Sequence, residues 1–427
     1  MSTWGRFSTI FGLGLCLATV GLLMRQAGFI LLALPAFVYA IALLVSYLLL
    51  PSVRLRVDRS HDVVRIPEGS PLEMTLTCSH DARSKAIVSV LDLLPSGVEL
   101  VDGETAYLGP LAADEAVPVT ATIEGRRGVH QLDGVRASVW SRFGLAERNI
   151  DVDAPLTLRC LPRVERLTTL PIRPRRTRAF AGPVKSRLGG LGIDFFGGRA
   201  YYPGDDVRRI NWRAYALRDE LTIVEFEQER ITDVNLILDA RARVHTQVGD
   251  TSTFEHACRA TVSLAGHFID QGNSVGLLIY GDCLNWIFPA LGRVQFERIR
   301  DAVSEAQIAD KEAFEDLRQI PTRLFTPRSQ MVMVSPLADE TDVETLALLC
   351  GRGYSLLLVC PDSLPLEQAA LPRTPSNLLA ARILRLERTI FLESLVRMGV
   401  RLIDWDLDSP LEESAEQVRH RRGGRGR

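Results

Sequence analysis

Val234-Asn235-Leu236-Ile237-Leu238-Asp239 is a run of apolar, strand-prone residues that stops at a carboxylate. A strand with one solvated face alternates polar and apolar residues, so an uninterrupted apolar run predicts burial on both faces, as in a parallel sheet. The pattern downstream agrees. The sequence predicts a helix over 254–270, strands over 274–280 and 285–288, and a second helix over 296–306. Buried strands follow at 331–335 and 355–360, then a helix over 380–398 and a last strand over 400–403. Apolar strands alternating with helices predict an α/β region with a mostly parallel sheet covered on both sides. Ligands of such sheets bind at the carboxyl ends of the strands, where Asp239 would lie.

Upstream the period changes. Residues 72–77 and 134–140 alternate with a period of two, 86–93 and 116–123 are β-rich, and turn residues such as Pro95-Ser96-Gly97 punctuate them. Short strands at this spacing predict an all-β sandwich of immunoglobulin or fibronectin type over 52–165. Between the two regions, 171–187 carries Pro171, Pro174 and Pro183 among six basic residues. Its composition predicts a solvated basic linker over 166–198.

The apolar excess sits at the N-terminus. Residues 8–24 and 27–50 are uncharged runs separated by Arg25 and Gln26. A bilayer core needs roughly 20 helical residues, so 1–51 predicts a transmembrane α-hairpin with spans at about 7–24 and 28–50. A signal peptide is the rival reading of the first run, but no small-residue cleavage site separates it from the second. Arg6, Arg54, Arg56 and Arg59 would face one side and Arg25 the other, which predicts a multi-pass protein of the inner (plasma) membrane with both termini cytoplasmic. Seven irregularly spaced cysteines without a C-x-x-C pair fit a reducing compartment. The net charge of −2 predicts no nucleic-acid partner. The Arg- and Gly-rich end predicts a disordered basic tail over 406–427, a solvated end or a contact with anionic lipid.

The densest stretch runs from Arg199 through Tyr201, Pro203-Gly204-Asp205-Asp206 and Arg208 to Trp212. Pro-Gly-Asp reads as a turn followed by a cap, in which Asp205 or Asp206 accepts from free amides of the next helix. Val207, Ile210 and Trp212 are candidate apolar anchors, and Glu225, Glu227 and Glu229 are candidate partners for the arginines. The surface would be either a salt-bridged brace or a docking site.

Arg199-x-Tyr201-x-Pro203-Gly204-Asp205-Asp206-x-Arg208-x-Ile210-x-Trp212-x-Ala214, followed by Glu225-Phe226-Glu227, resembles the bacterial family catalogued as domain of unknown function 58. Arg127-Gly128-Val129, Phe143-Gly144-Leu145 and the N-terminal hairpin extend the resemblance over nearly the whole chain. The family's usual Ala-Arg after the Trp is Ala216-Leu217 here, with Arg218 one place late. The resemblance implies a von Willebrand A-like domain, with the motif, over 199–405, and a MoxR-type AAA+ ATPase as partner.

Von Willebrand A domains often hold Mg²⁺ with Asp-x-Ser-x-Ser after the first strand, because a small hard cation needs oxygen donors. Here the corresponding run is Asp239-Ala240-Arg241-Ala242-Arg243, with cationic side chains in place of both hydroxyls. Ser335-Pro336-Leu337 follows a later strand where an Asp is expected, and Asp339 comes late. The expectation is a degenerate site that binds no metal, with Asp239 paired to a nearby Arg. P-loop, H-E-x-x-H and G-x-S-x-G motifs are absent. The seven histidines are scattered, and Gly189-Gly190-Leu191-Gly192 reads as a flexible loop rather than a phosphate cradle. The expected function is that of a non-enzymatic, cofactor-free, membrane-tethered scaffold that presents its α/β domain to a MoxR-type ATPase. The alternatives are an enzyme or effector with a cryptic metal or phosphate site at Asp205–Arg208, and a cell-envelope binding protein.

Overall fold

The computed structural model describes residues 3–416, apart from 51–52, 82–84, 113–114, 169, 171–183, 219, 231, 250, 282–283, 310–324, 327–328 and 338–339. Residues 169 and 171–183 of the expected basic linker and 417–427 of the expected tail therefore lie outside the described residues. So do Asp339 and the side chains of Glu225, Glu227 and Glu229. The chain divides into two compact units, Met1–Leu161 and Pro162–Arg427.

The first unit opens with α1 (Thr3–Met24) and α2 (Ala27–Leu48). Each is long and apolar enough to cross a membrane, by length and composition. Arg25, at a positive φ of 51°, makes the tight reversal between them. The β strands that follow are antiparallel in all but one pairing. One sheet orders β1 (Leu55–Arg59), β3 (Leu72–His80), β7 (Val117–Gly125) and β5 (Val98–Gly103). A second orders β10 (Glu147–Asp151), β9 (Val135–Trp140), β4 (Ala86–Asp92) and β6 (Ala106–Leu111). Inward residues of the two, among them Val57, Leu76, Cys78, Val88, Val90, Ala137 and Val139, share one core. Their period-two burial is what the sequence pattern implied. A third sheet, β2 (Val63–Pro67), β11 (Leu156–Leu161) and β8 (Gly128–Leu132), closes over a smaller core at Ile123, Leu132 and Leu158. Its β2–β11 pair is parallel.

The second unit is built on a six-stranded sheet, with the short pair β15 (Gln247–Val248) and β16 (Thr251–Ser252) and the short helix α7 (Leu364–Ala370) outside it. The order of the sheet is β18 (Leu284–Ala290), β17 (Ser274–Tyr280), β14 (Asp233–Asp239), β19 (Gln330–Val334), β20 (Ser355–Pro361) and β21 (Arg401–Trp405). All neighbours pair in parallel except β18, an antiparallel edge. Side chains of β14 alternate between two cores. Val234, Leu236 and Leu238 join α4 (Thr253–Asp270) and α5 (Arg293–Glu305) on one face. Ile237 joins α6 (Glu340–Gly351) and α8 (Pro375–Arg397) on the other. Both faces are covered, which is why the strands read as continuous apolar runs.

Three boundaries depart from the sequence reading. Leu167 and Leu170, assigned to the linker, are buried in the first core, and the backbone carbonyl of Leu167 hydrogen-bonds the His267 ring. Residues 184–198, also assigned to it, belong to β12 (Val184–Ala200), which pairs antiparallel with β13 (Thr222–Arg230). The Gly189–Gly192 run lies in that strand, at a break in register, and is not a free loop. Residues 406–416, assigned to the disordered tail, end in a helical turn whose Leu411 and Ala415 are buried in the core. In each case burial against the sheet outweighs local composition.

Candidate functional site

Two places in the second unit combine specific chemistry with position. The first is the motif segment. Asp205 N–H donates to Tyr202 O at 3.1 Å, closing a turn with Pro203 and Gly204 at its centre. Gly204 has φ of +108°, the conformation that a type II turn requires of its third residue. The turn lets the Asp205 carboxylate face back. It accepts a two-pronged pair of bonds from Arg199 at 2.7 and 2.8 Å and a third from Tyr202 N–H at 2.9 Å. The Arg199 guanidinium and then the Tyr202 amide hold the Asp205 carboxyl down at about 2. Asp206 performs the cap, its Oδ1 accepting from Arg208 N–H at the start of a 3₁₀ turn at Val207–Arg209. Asn211 caps α3 (Trp212–Arg218) in the same way through Ala214 N–H.

Backbone bonds pin this segment to the β13 end of the ribbon. Tyr201 N–H donates to Leu221 O and Asn211 N–H to Thr222 O, and Ile210 bridges to Ile223. Ile210 is buried there. Val207 and Trp212, expected as anchors beside it, point outward, with Trp212 60% exposed. Trp212 stacks edge-on against Tyr215, and Tyr202, Val207 and Leu217 of the segment are also exposed. Both acidic groups of the motif are thus engaged internally, and its apolar groups other than Ile210 are displayed.

The second place is the carboxyl end of the sheet. β14 connects to β17 on one side, while β19 enters on the other, so the strand order reverses between β14 and β19. That reversal is where an open α/β sheet forms its ligand crevice. Here a guanidinium fills it. Arg241, Asp239 and Asp342 have fully buried side chains. Arg241 donates to Asp239 through Nε (2.9 Å) and Nη2 (2.7 Å), and to Asp342 through Nη1 (3.1 Å) and Nη2 (3.0 Å). Ser335 Oγ donates to Asp239 Oδ2 at 2.7 Å. Burial works against the charge on Arg241, but the bonds and charges of Asp239 and then Asp342 outweigh it, and the net shift is upward. Arg243 lies 3.8 Å from Asp342 and is one-third exposed.

His245 closes the cluster. Its Nε2 is 2.6 Å from Asp239 O and its Nδ1 3.1 Å from Thr253 Oγ1. A carbonyl needs a donor, so the proton sits on Nε2, and burial pushes the imidazole below its usual range and keeps it neutral. Asp239 does pair with a nearby Arg. The second acid is Asp342, which the sequence reading missed. It enters 101 residues after Arg241 from the first turn of α6, past Ser335 and outside the place where an Asp was sought. Among the described residues, no three His, Cys, Asp or Glu side chains converge as a metal-binding group.

Residues 197–359 match the family model described as Protein of unknown function DUF58. Over that region the chain resembles DUF58 proteins. The matched region contains the motif face and the whole guanidinium cluster. The chain is also similar to the uncharacterized protein YeaD of Bacillus subtilis (strain 168), with 24% identity over 363 residues, 81% of this chain and 86% of YeaD. Similarity to solved structures is slight. The complex of zinc 2-glycoprotein with prolactin inducible protein from human seminal plasma matches with a TM-score of 0.19 and 10% identity, over 25% of this chain and 96% of that one. The sixth cohesin from Acetivibrio cellulolyticus' scaffoldin B matches with a TM-score of 0.18 and 7% identity, over 25% and 98%.

Proposed function

We propose that this protein is a non-enzymatic, membrane-tethered interaction protein. Its N-terminal helices form a multi-pass hairpin in the inner membrane, with both termini cytoplasmic. Its α/β unit, of von Willebrand A-like type, presents the motif face to a MoxR-type AAA+ ATPase. The observation that carries this reading is the outward-facing set Tyr202, Val207, Trp212, Tyr215 and Leu217 on a segment braced by the Arg199–Asp205 pair. Exposed aromatic groups on a rigid, hydrogen-bonded frame are the usual anchors of protein interfaces. The tether is supported by the two apolar helices, and its orientation by Arg6, Arg54 and Arg56 on one side against Arg25 on the other. The cryptic metal or phosphate site at Asp205–Arg208 fits less well, because the Asp205 carboxylate is spent on Arg199 and an amide, and Asp206 on a cap.

Capture of the tagged chain from its native membrane, with a non-hydrolysable nucleotide present, is expected to recover a MoxR-type ATPase. Trp212→Ala is expected to reduce recovery at least tenfold, as befits a central aromatic anchor. Failure to recover any AAA+ ATPase, or equal recovery with Trp212→Ala, would sink the reading.

A further inference from the structure

Helix α8 carries an apolar stripe on the side that faces away from its own domain. Leu379, Ile383, Leu386 and Ile390 are 58%, 48%, 65% and 69% exposed. Their spacing of four, three and four is that of the d, a, d and a positions of a heptad. The opposite side of the helix holds it to the sheet. Leu392 and Leu395 are buried there, and Arg388 reaches Asp404 at 2.6 Å and Asp362 at 3.3 Å. In heptad terms Leu392 is at c, and Arg388 and Leu395 are at f, the positions remotest from an a/d seam. The helix is thus anchored by its back and offers a complete seam outward.

The residue types specify the partner. β-Branched Ile at a with Leu at d is the combination that favours a parallel two-stranded pairing. Both a positions here are Ile (383 and 390) and both d positions are Leu (379 and 386). The flanks agree. Arg382 is at g and Glu387 at the following e, and in a parallel pair each g faces the e five residues on in its partner. Two copies of α8 would place Arg382 of each beside Glu387 of the other, twice over by symmetry. In an antiparallel pair g meets g and e meets e, so Arg382 would face Thr389 and Glu387 would face Ala380, and both ion pairs vanish.

We propose that the exposed stripe of α8 is the seam of a parallel, in-register dimer with a second copy of this chain. The seam is two heptads long and ends where Glu393 and Arg397 take the next d and a positions. A seam this short gives a weak dimer, so trapping suits it better than chromatography. The inference is independent of the ATPase reading.

The test is single-cysteine crosslinking of the full chain in membranes under mild oxidation, with the unaltered chain as background for its own cysteines. In a parallel pair each a or d residue meets itself. Ile383→Cys and Ile390→Cys are both expected to give disulfide dimer at least fivefold above background. Arg385→Cys, at position c on the same exposed helix, is expected to stay at background. Adding Arg382→Glu to Ile383→Cys sets like charges across the seam and should return the yield to background. Adding Glu387→Arg as well should restore at least half of it. All five variants change exposed side chains and leave the buried back of the helix intact. Equal yields from Arg385→Cys and Ile383→Cys would mean random collision and overturn the proposal. So would a yield indifferent to the charge swap, the outcome expected if the stripe rests on lipid or on another protein's helix.

Discussion

Arg241→Met removes the buried cation at the switch point and keeps most of its volume. Four side-chain hydrogen bonds go with it, two to each carboxylate. Asp342 loses both of its Arg241 bonds, while Asp239 keeps Ser335 Oγ. Breaking a fully buried pair from one side costs about 3–5 kcal/mol, because the buried carboxylates lose the cation that neutralises them. With about 1.4 kcal/mol per tenfold, the opening equilibrium of β14 and β19 should rise by roughly 150- to 5000-fold. Hydrogen exchange followed by mass spectrometry on peptides spanning 233–239 and 330–334 reads this directly, and peptides from 55–161 serve as an internal reference. Arg241→Met combined with Asp239→Asn and Asp342→Asn should recover at least half of the loss, since neutral groups in the same space carry no orphaned charge. A loss of protection below tenfold in the single variant, or no recovery in the triple variant, would refute the view that this cluster is a mutually dependent charge assembly.

Arg241→Ser leaves two carboxylates and two hydroxyls around the vacated space. Mn²⁺ or Mg²⁺ at a hundred times its Kd should then raise that variant's Tm by about 5–10 °C and leave the unaltered chain unmoved. Calorimetric scans with and without the metal check it. His245 is held below its usual range by burial, and His267 likewise. The unfolded chain therefore binds protons near pH 6.5 that the folded chain refuses. Stability is full above that pH and falls below it, by up to about 1.4 kcal/mol per pH unit for each ring. Urea midpoints between pH 7.5 and 5 should show this slope, and His245→Gln should reduce it to the share of His267. The Asp205 carboxyl, held at about 2, gives a second window of the same sign at lower pH. The Arg199 brace is complete above about pH 4 and lost as pH falls through 2. Protection of the Tyr202 amide relative to its unfolded exchange rate, present at pH 4, should be lost at pH 2, and Arg199→Gln should remove it at both.

The sequence discloses elements wherever local pattern and tertiary role coincide. The strand ending at Asp239, the hairpin helices and the period-two strands at 72–80 and 135–140 are all legible, because the environment of each follows from its own residues. The Pro203–Gly204 turn is legible because few residues accept a positive φ. What escapes is what depends on a distant partner. Ile210 and Trp212 look alike as anchors, but only Ile210 meets Ile223, and Trp212 is left outside. β12 has neither alternation nor an apolar run, and it is a strand because β13 returns beside it. Asp342 looks like any acid in the first turn of a helix until the fold brings it to Arg241. The apolar pattern places the start of α8 at 380, five residues late, although Thr374 as cap and Pro375 in the first turn announce it.

Because the cation at the switch point is a side chain, its supply never fluctuates. A metal-loaded crevice can be emptied by chelation, by competition or by the falling magnesium of a starved cell, and a protein built on one inherits that contingency. Here the positive charge is made with the chain on the ribosome and cannot leave. The switch point therefore keeps the same positive charge for the whole lifetime of the chain.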